Sequence, residues 1–117
     1  MKGWFELSKS RDNQFRFVLK AANSEIILTS ELYRSKASAE NGIASVRDNC
    51  GSSAHFELMN SKNGKYYFNL KAANHQVIGT SEMYESENGR KKGIASVKLN
   101  GKAMTVKDLT AGIKLAA

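Results

Sequence analysis

A single cysteine, Cys50, excludes an internal disulfide in this chain of 117 residues and agrees with a reducing compartment. The longest apolar runs, such as Ile26-Ile27-Leu28, fall far short of the roughly 20 residues that a membrane-crossing helix needs. The opening residues Met1-Lys2-Gly3-Trp4-Phe5-Glu6 lack the apolar stretch of a secretory signal, so a cytoplasmic location is expected. Histidine is scarce as well. His55 and His75 are the only two, and neither stands at a zinc-like spacing from Cys50. Cys50 ends a helix next to Gly51, and a reactive thiol would need a positive, partly exposed setting that sequence does not show. With no catalytic or metal-binding constellation, no cofactor is implied and an enzyme is not expected.

What is present is an ordinary globular composition, with 41% hydrophobic and 25% charged residues, in a length that suits one domain. The formal net charge is +7, spread as +2 over residues 1–51, +4 over 52–102 and +1 over 103–117. A basic balance favours polyanions in general, but here it is not gathered into one arm.

The informative feature is duplication. A gapless shift of 51 residues lays Phe5-Glu6-Leu7 on Phe56-Glu57-Leu58 and Thr29-Ser30-Glu31-Leu32-Tyr33 on Thr80-Ser81-Glu82-Met83-Tyr84. It also lays Gly42-Ile43-Ala44-Ser45-Val46 on Gly93-Ile94-Ala95-Ser96-Val97, and 22 of 48 aligned positions are identical. Residues 1–51 and 52–102 are therefore two repeats, followed by a segment 103–117 whose Val106-Lys107-Asp108-Leu109 echoes Trp4-Phe5-Glu6-Leu7.

Each repeat reads βββα. Phe5 and Leu7 alternate with polar neighbours, as a strand with one buried face requires. Ser10-Arg11-Asp12-Asn13 and Ser61-Lys62-Asn63-Gly64 are hairpin turns. Phe15, Phe17 and Leu19, like Tyr66, Phe68 and Leu70, line one face of a second strand. Ala22-Asn23-Ser24 forms the next turn, with Asn23 the residue expected at positive φ. Ile26-Ile27-Leu28-Thr29 is the third strand. Ser35 and Ser86 are the expected helix N-caps. Ala39, Ile43 and Val46 then make an apolar stripe, in which Arg90 replaces the first member in the second repeat. Gly42 and Gly93 imply close approach of helix and sheet, and Tyr33 and Tyr84 plug the gap.

A unit of about 50 residues buries too little surface to be stable alone. Two units sharing one antiparallel sheet, with helices on one face and the terminal strand closing against the first repeat, would solve both burial and exposed edges. The expected class is α+β with an internal pseudo-twofold, as a monomer.

The strings Gly3-Trp4-Phe5-Glu6-Leu7, Phe68-Asn69-Leu70-Lys71-Ala72-Ala73-Asn74-His75-Gln76, Thr80-Ser81-Glu82-Met83-Tyr84 and Gly93-Ile94-Ala95-Ser96-Val97 make the chain resemble the YegP-like family of small bacterial proteins over nearly its whole length. The resemblance implies βββαβ units that share one sheet and exchange terminal strands. It implies no activity.

Candidate functional residues lie on the sheet face away from the helices. Trp4, Arg16 and Lys20 in the first repeat, with His55, Tyr67 and Lys71 in the second, point there. Aromatic and basic groups on an open sheet suit stacking on single-stranded nucleic acid, although Glu6 and Glu57 on the same face would repel phosphate. Arg90-Lys91-Lys92 with Lys98 reads as a basic helix surface, and Glu31 with Glu82 as a possible carboxylate pair. The first expectation is a non-enzymatic module that binds a protein or peptide, and the alternative is a basic nucleic-acid binder.

Overall fold

The computed structural model describes residues 3–10 and 12–110; Arg11 of the first hairpin turn and the tail beyond Thr110 lie outside them. The first repeat forms β1 (Trp4–Lys9), β2 (Phe15–Lys20), β3 (Ile26–Ser30) and α1 (Lys36–Asn49). The second forms β4 (Phe56–Asn60), β5 (Tyr66–Lys71), β6 (Val77–Thr80) and α2 (Glu87–Asn100), and β7 (Val106–Asp108) follows. The alternation that predicts the strands also fixes the core: Phe5, Leu7, Phe17, Leu19, Phe68 and Leu70 are all fully buried. Ser35 and Ser86 cap their helices, the hydroxyls accepting from Ser38 and Gly89 N–H at 3.1 and 3.0 Å. Ala39, Ile43 and Val46 face the sheet.

One turn differs from expectation. Positive φ falls on Ser24 (72°) and His75 (70°), not on Asn23. The Asn23 carboxamide oxygen instead accepts the Glu25 N–H at 3.1 Å, and closing that turn shifts the left-handed residue one place along.

The sheet runs β4-β5-β6-β3-β2-β1-β7. Neighbours are antiparallel except β1 and β7, which are parallel, so the expected all-antiparallel sheet is corrected at that edge. The cause is a competition. β1, β4 and β7 are three versions of one strand, but only two places exist beside β2 and β5. Lys107 stands in β7 where Phe5 and Phe56 stand in the other two. Phe5 packs edge-on against Phe17 at 5.8 Å, a buried place that a lysine cannot fill. β7 is therefore left to lie outside β1. Its direction follows from where α2 ends. The Gly3 N–H donates to Asn100 Oδ1 at 2.8 Å, so the chain leaving α2 starts beside the beginning of β1 and runs the same way. Phe5 N–H donates to the Thr105 carbonyl at 3.0 Å and Leu109 N–H to the Leu7 carbonyl at 2.8 Å. The strand after α1 thus serves the second repeat, and the strand after α2 returns to the first.

Thr29 pairs with Thr80, its own equivalent, so a pseudo-twofold axis passes between them. Two further pairs of equivalent positions, Leu28 with Gly79 and Cys50 with Gly101, also meet, and each holds one side chain and one glycine. A Cβ on Gly79 would lie 3.0 Å from Leu28 Cγ, and one on Gly101 would lie 2.7 Å from Cys50 Sγ. Gly42 and Gly93 have a different reason: a Cβ there would meet the hydroxyl ends of Tyr33 and Tyr84. These rings lie nearly parallel to Phe17 and Phe68, at 11° and 4°.

Two tests follow. A chain ending at Lys102 uncovers Phe5 and Leu7, which should remove about 2–4 kcal/mol and lower Tm by about 10 °C or more; an unchanged Tm would show that β7 does not close the sheet. Gly101→Ala should destabilise by about 1–3 kcal/mol in urea unfolding, and adding Cys50→Gly should restore part of the loss.

Candidate functional site: the open sheet face and its edges

The cross-strand register sets one row of side chains across the whole open face: Glu57, Asn69, Thr80, Thr29, Val18, Glu6 and Lys107. The repeats diverge within it. In the second repeat Asn69 links the row, donating to Glu57 at 3.2 Å and accepting from Thr80 Oγ1 at 2.8 Å. Val18 takes that place in the first repeat and cannot do so, and Glu6 turns to Trp4 instead. The indole N–H donates to Glu6 Oε2 at 2.8 Å, Lys20 Nζ lies 3.3 Å from Oε1, and Lys107 Nζ sits 4.2 Å above the indole ring. Lys71 pairs with Glu57 at 3.1 Å in the second repeat.

Of the six candidate residues, the structure brings Trp4 and Lys20 together through Glu6, and places Lys71 with Glu57. Arg16, opposite Ser8, and Tyr67, opposite Met59, stand apart from those clusters on the same face. His55 is not displayed like Trp4. It ends a 3-10 turn over Ser53–His55, with Nδ1 buried and without a hydrogen-bond partner among the described residues. The turn lies in the connection from α1 to β4, so His55 precedes the strand and is not part of it.

The basic helix surface is also smaller than the sequence suggests. Arg90 is only 8% exposed, donates to the Met59 carbonyl at 2.8 Å and lies 5.2 Å over the Tyr66 ring. Its long stem can occupy the stripe position while the head finds a carbonyl and a ring face. Lys98 donates to Ser53 Oγ at 2.6 Å, over Phe56. Glu31 and Glu82 do not form a shared site. Glu82 lines a cleft of about 510 Å³ with Tyr84, Lys20 and Glu25, whereas Glu31 lines a separate one of about 380 Å³ with Tyr33, Asn74 and Gln76. Burial, then the neighbouring glutamates, raises both tyrosines above their ordinary value, so neither is poised as a base. Burial likewise pushes the Cys50 thiol up, away from the thiolate form that a reactive cysteine uses. Among the described residues no group of His, Cys, Asp and Glu could hold a metal ion.

The feature that sequence reasoning missed is at the sheet's end. Leu7 is fully buried, whereas its equivalent Leu58 in β4 is 59% exposed. β7 covers β1, and among the described residues no strand lies beyond β4. Phe68, opposite Leu58, bonds its N–H and C=O to Ser81 on the other side. The Leu58 N–H and C=O consequently point outward from the edge. The one available signal was the echo of strand one after α2 with no counterpart for β4.

These features define a tandem-repeat α+β domain with one seven-stranded sheet and two helices on one face. The family model described as "Domain of unknown function (DUF1508)" matches residues 10–57 and 61–108, and the chain belongs to that family. The two matches begin 51 residues apart, as the duplication requires. The UPF0339 protein YegP of Escherichia coli K12 is 66% identical over 94% of this chain and 100% of its own length. A UPF0339 protein of Shewanella oneidensis is 60% identical over the same shares. The solution NMR structure of E. coli yegP superposes with a TM-score of 0.90 over 94% of this chain and 95% of that one, at 66% identity. That of the S. oneidensis protein does so at 0.89, over 94% and 93%, at 60% identity.

Trp4, the one tryptophan, reports on its cluster. The indole hydrogen bond, then Lys20, holds Glu6 below the ordinary 4.5. A lowered carboxylate value means stability that is complete above pH 4.5 and is lost as pH falls through the folded value. Trp4 fluorescence should therefore change with a midpoint below 4.5, and Lys20→Met should move that midpoint toward 4.5. A wild-type midpoint at or above 4.5 would contradict the assignment.

Proposed function

We propose that this protein is a non-enzymatic module that binds an extended segment of another protein, acting as a monomer in a bacterial cytoplasm. The observation that carries the reading is the edge of β4, beyond which no strand lies among the described residues and where Leu58 is 59% exposed although its equivalent is fully buried. An edge of this kind offers main-chain hydrogen bonds for affinity and side-chain positions for specificity, which is how strand addition recognises peptides. That no described helix is long and apolar enough to cross a membrane agrees with this role.

The net charge of +7 favours nucleic acid as a ligand, but on the open face Lys20 and Lys71 are already paired with Glu6 and Glu57. Each half-buried pair contributes modestly to stability, yet it leaves less field for phosphate.

Capture from a bacterial lysate with and without nuclease separates the two. Protein partners should persist after nuclease and be lost with Leu58→Lys, a substitution at an exposed site that leaves Tm nearly unchanged. Loss of every partner on nuclease treatment would replace this reading with the nucleic-acid one.

A further inference from the structure

The edge reading leaves open what the occupant looks like, and the pseudo-twofold supplies a template, because the equivalent edge of β1 is filled. β7 lies there in parallel, with Phe5 opposite Val106, Glu6 opposite Lys107 and Leu7 opposite Asp108. Alternation puts Val106 and Asp108 toward the helix layer and Lys107 on the open face. Asp108 forms an ion pair with Lys36, the first residue of α1. Lys36 and a hydrogen bond from Thr110 lower the Asp108 carboxyl to about 2.

At the first position of α2 the charge is reversed. Glu87 replaces Lys36, and one turn further Lys91 replaces Glu40. The apolar part of the template is kept: Phe56 replaces Phe5, and Lys98 lies over it as Arg47 lies over Phe5. A second copy's β7 placed on β4 would bring Asp108 to Glu87, so the chain selects against itself at this edge.

We infer, building on the edge-binding reading, that β4 accepts a parallel strand from a different protein with an apolar residue opposite Phe56 and a basic residue two places later, opposite Leu58 and facing Glu87. Leu58 and the outward main-chain groups of β4 hold the strand, and Glu87 selects its charge. Glu40 stands one turn from Lys36 without preventing the pair with Asp108, and Lys91 bears the same relation to Glu87.

The probes are two synthetic peptides spanning residues 103–110, one of native sequence and one with Asp108→Lys, titrated into the full ¹⁵N-labelled chain. The lysine peptide should shift the amides of Phe56, Leu58 and Glu87 and bind about fivefold more tightly than the native one. Glu87→Lys should reverse that order. A spin label on the peptide N-terminus should broaden Phe56 more than Asn60. Equal binding of both peptides at β4 would overturn the charge selection while leaving edge binding intact. No shift at β4 with either would overturn both. Shifts confined to Phe5 and Leu7 would show displacement of β7 and overturn the β4 site. A β4-mediated dimer in sedimentation, lost in Leu58→Lys, would make a second copy the occupant and overturn the inference.

Discussion

Equivalent residues meeting near a pseudo-twofold axis constrain the rest of this structure. Thr29 pairs with Thr80 at the centre of the sheet, and from there equivalent positions approach one another in the core. Thr29 and Thr80 fit side by side, but in the core two bulky side chains cannot occupy the same space near an axis, and at two such places one of the pair recedes. Leu28 is kept against Gly79, and Cys50 against Gly101. Close packing tolerates no alternative there, because a void or a clash would each cost a substantial part of a small domain's stability. Divergence between the repeats is thus a condition of their sharing one core. It accounts for Cys50 without giving it chemistry.

The second asymmetry comes from counting strands. The duplicated pattern supplies three versions of strand one but only two inner places. Phe5 and Phe56 take them, and Lys107 disqualifies β7 from either. The displaced strand completes the burial of Phe5 and Leu7 at one end of the sheet, and among the described residues no strand does the same for β4 at the other. A fold built from two equal units therefore has two unequal ends. The closed end is completed by β7, and at the open end no strand lies beyond β4 among the described residues.

Most of this architecture was legible in the sequence because short-range patterns carry it. Alternation around Phe5, Phe17 and Phe68, the caps at Ser35 and Ser86, and the stripe through Ile43 and Val46 each depend on residues within a few places of one another. The direction of β7 was not legible, since it depends on where Asn100 sits relative to Gly3. Nor was the fate of Arg90: a charge next to two lysines reads as surface, and only the meeting with Met59 and Tyr66 puts it inside. Alternation puts Trp4, Lys20 and Lys71 on the open face, but it could not say that Glu6 and Glu57 hold them. His55 was misplaced because a 3-10 turn breaks the period of two just before β4.

The use of positive charge within the molecule bears on how its net charge should be read. Arg47 and Arg90 donate to main-chain carbonyls and lie over Phe5 and Tyr66. Lys98 lies over Phe56, Lys107 over Trp4, and Lys20, Lys36 and Lys71 face carboxylates. A count of formal charges treats these cations as one field, but most of the basic groups near the sheet have a local partner that fixes their direction. What distinguishes the two ends of the sheet is therefore less the total charge than its sign at a single helix start, Lys36 at one and Glu87 at the other. A duplication copies residues indiscriminately, so a reversal at equivalent places arose after it. At the closed end that residue has Asp108 to meet. At the open end the reversed charge is exposed beside a strand that has no outer neighbour among the described residues, so it is the charge that the proposed partner strand would meet.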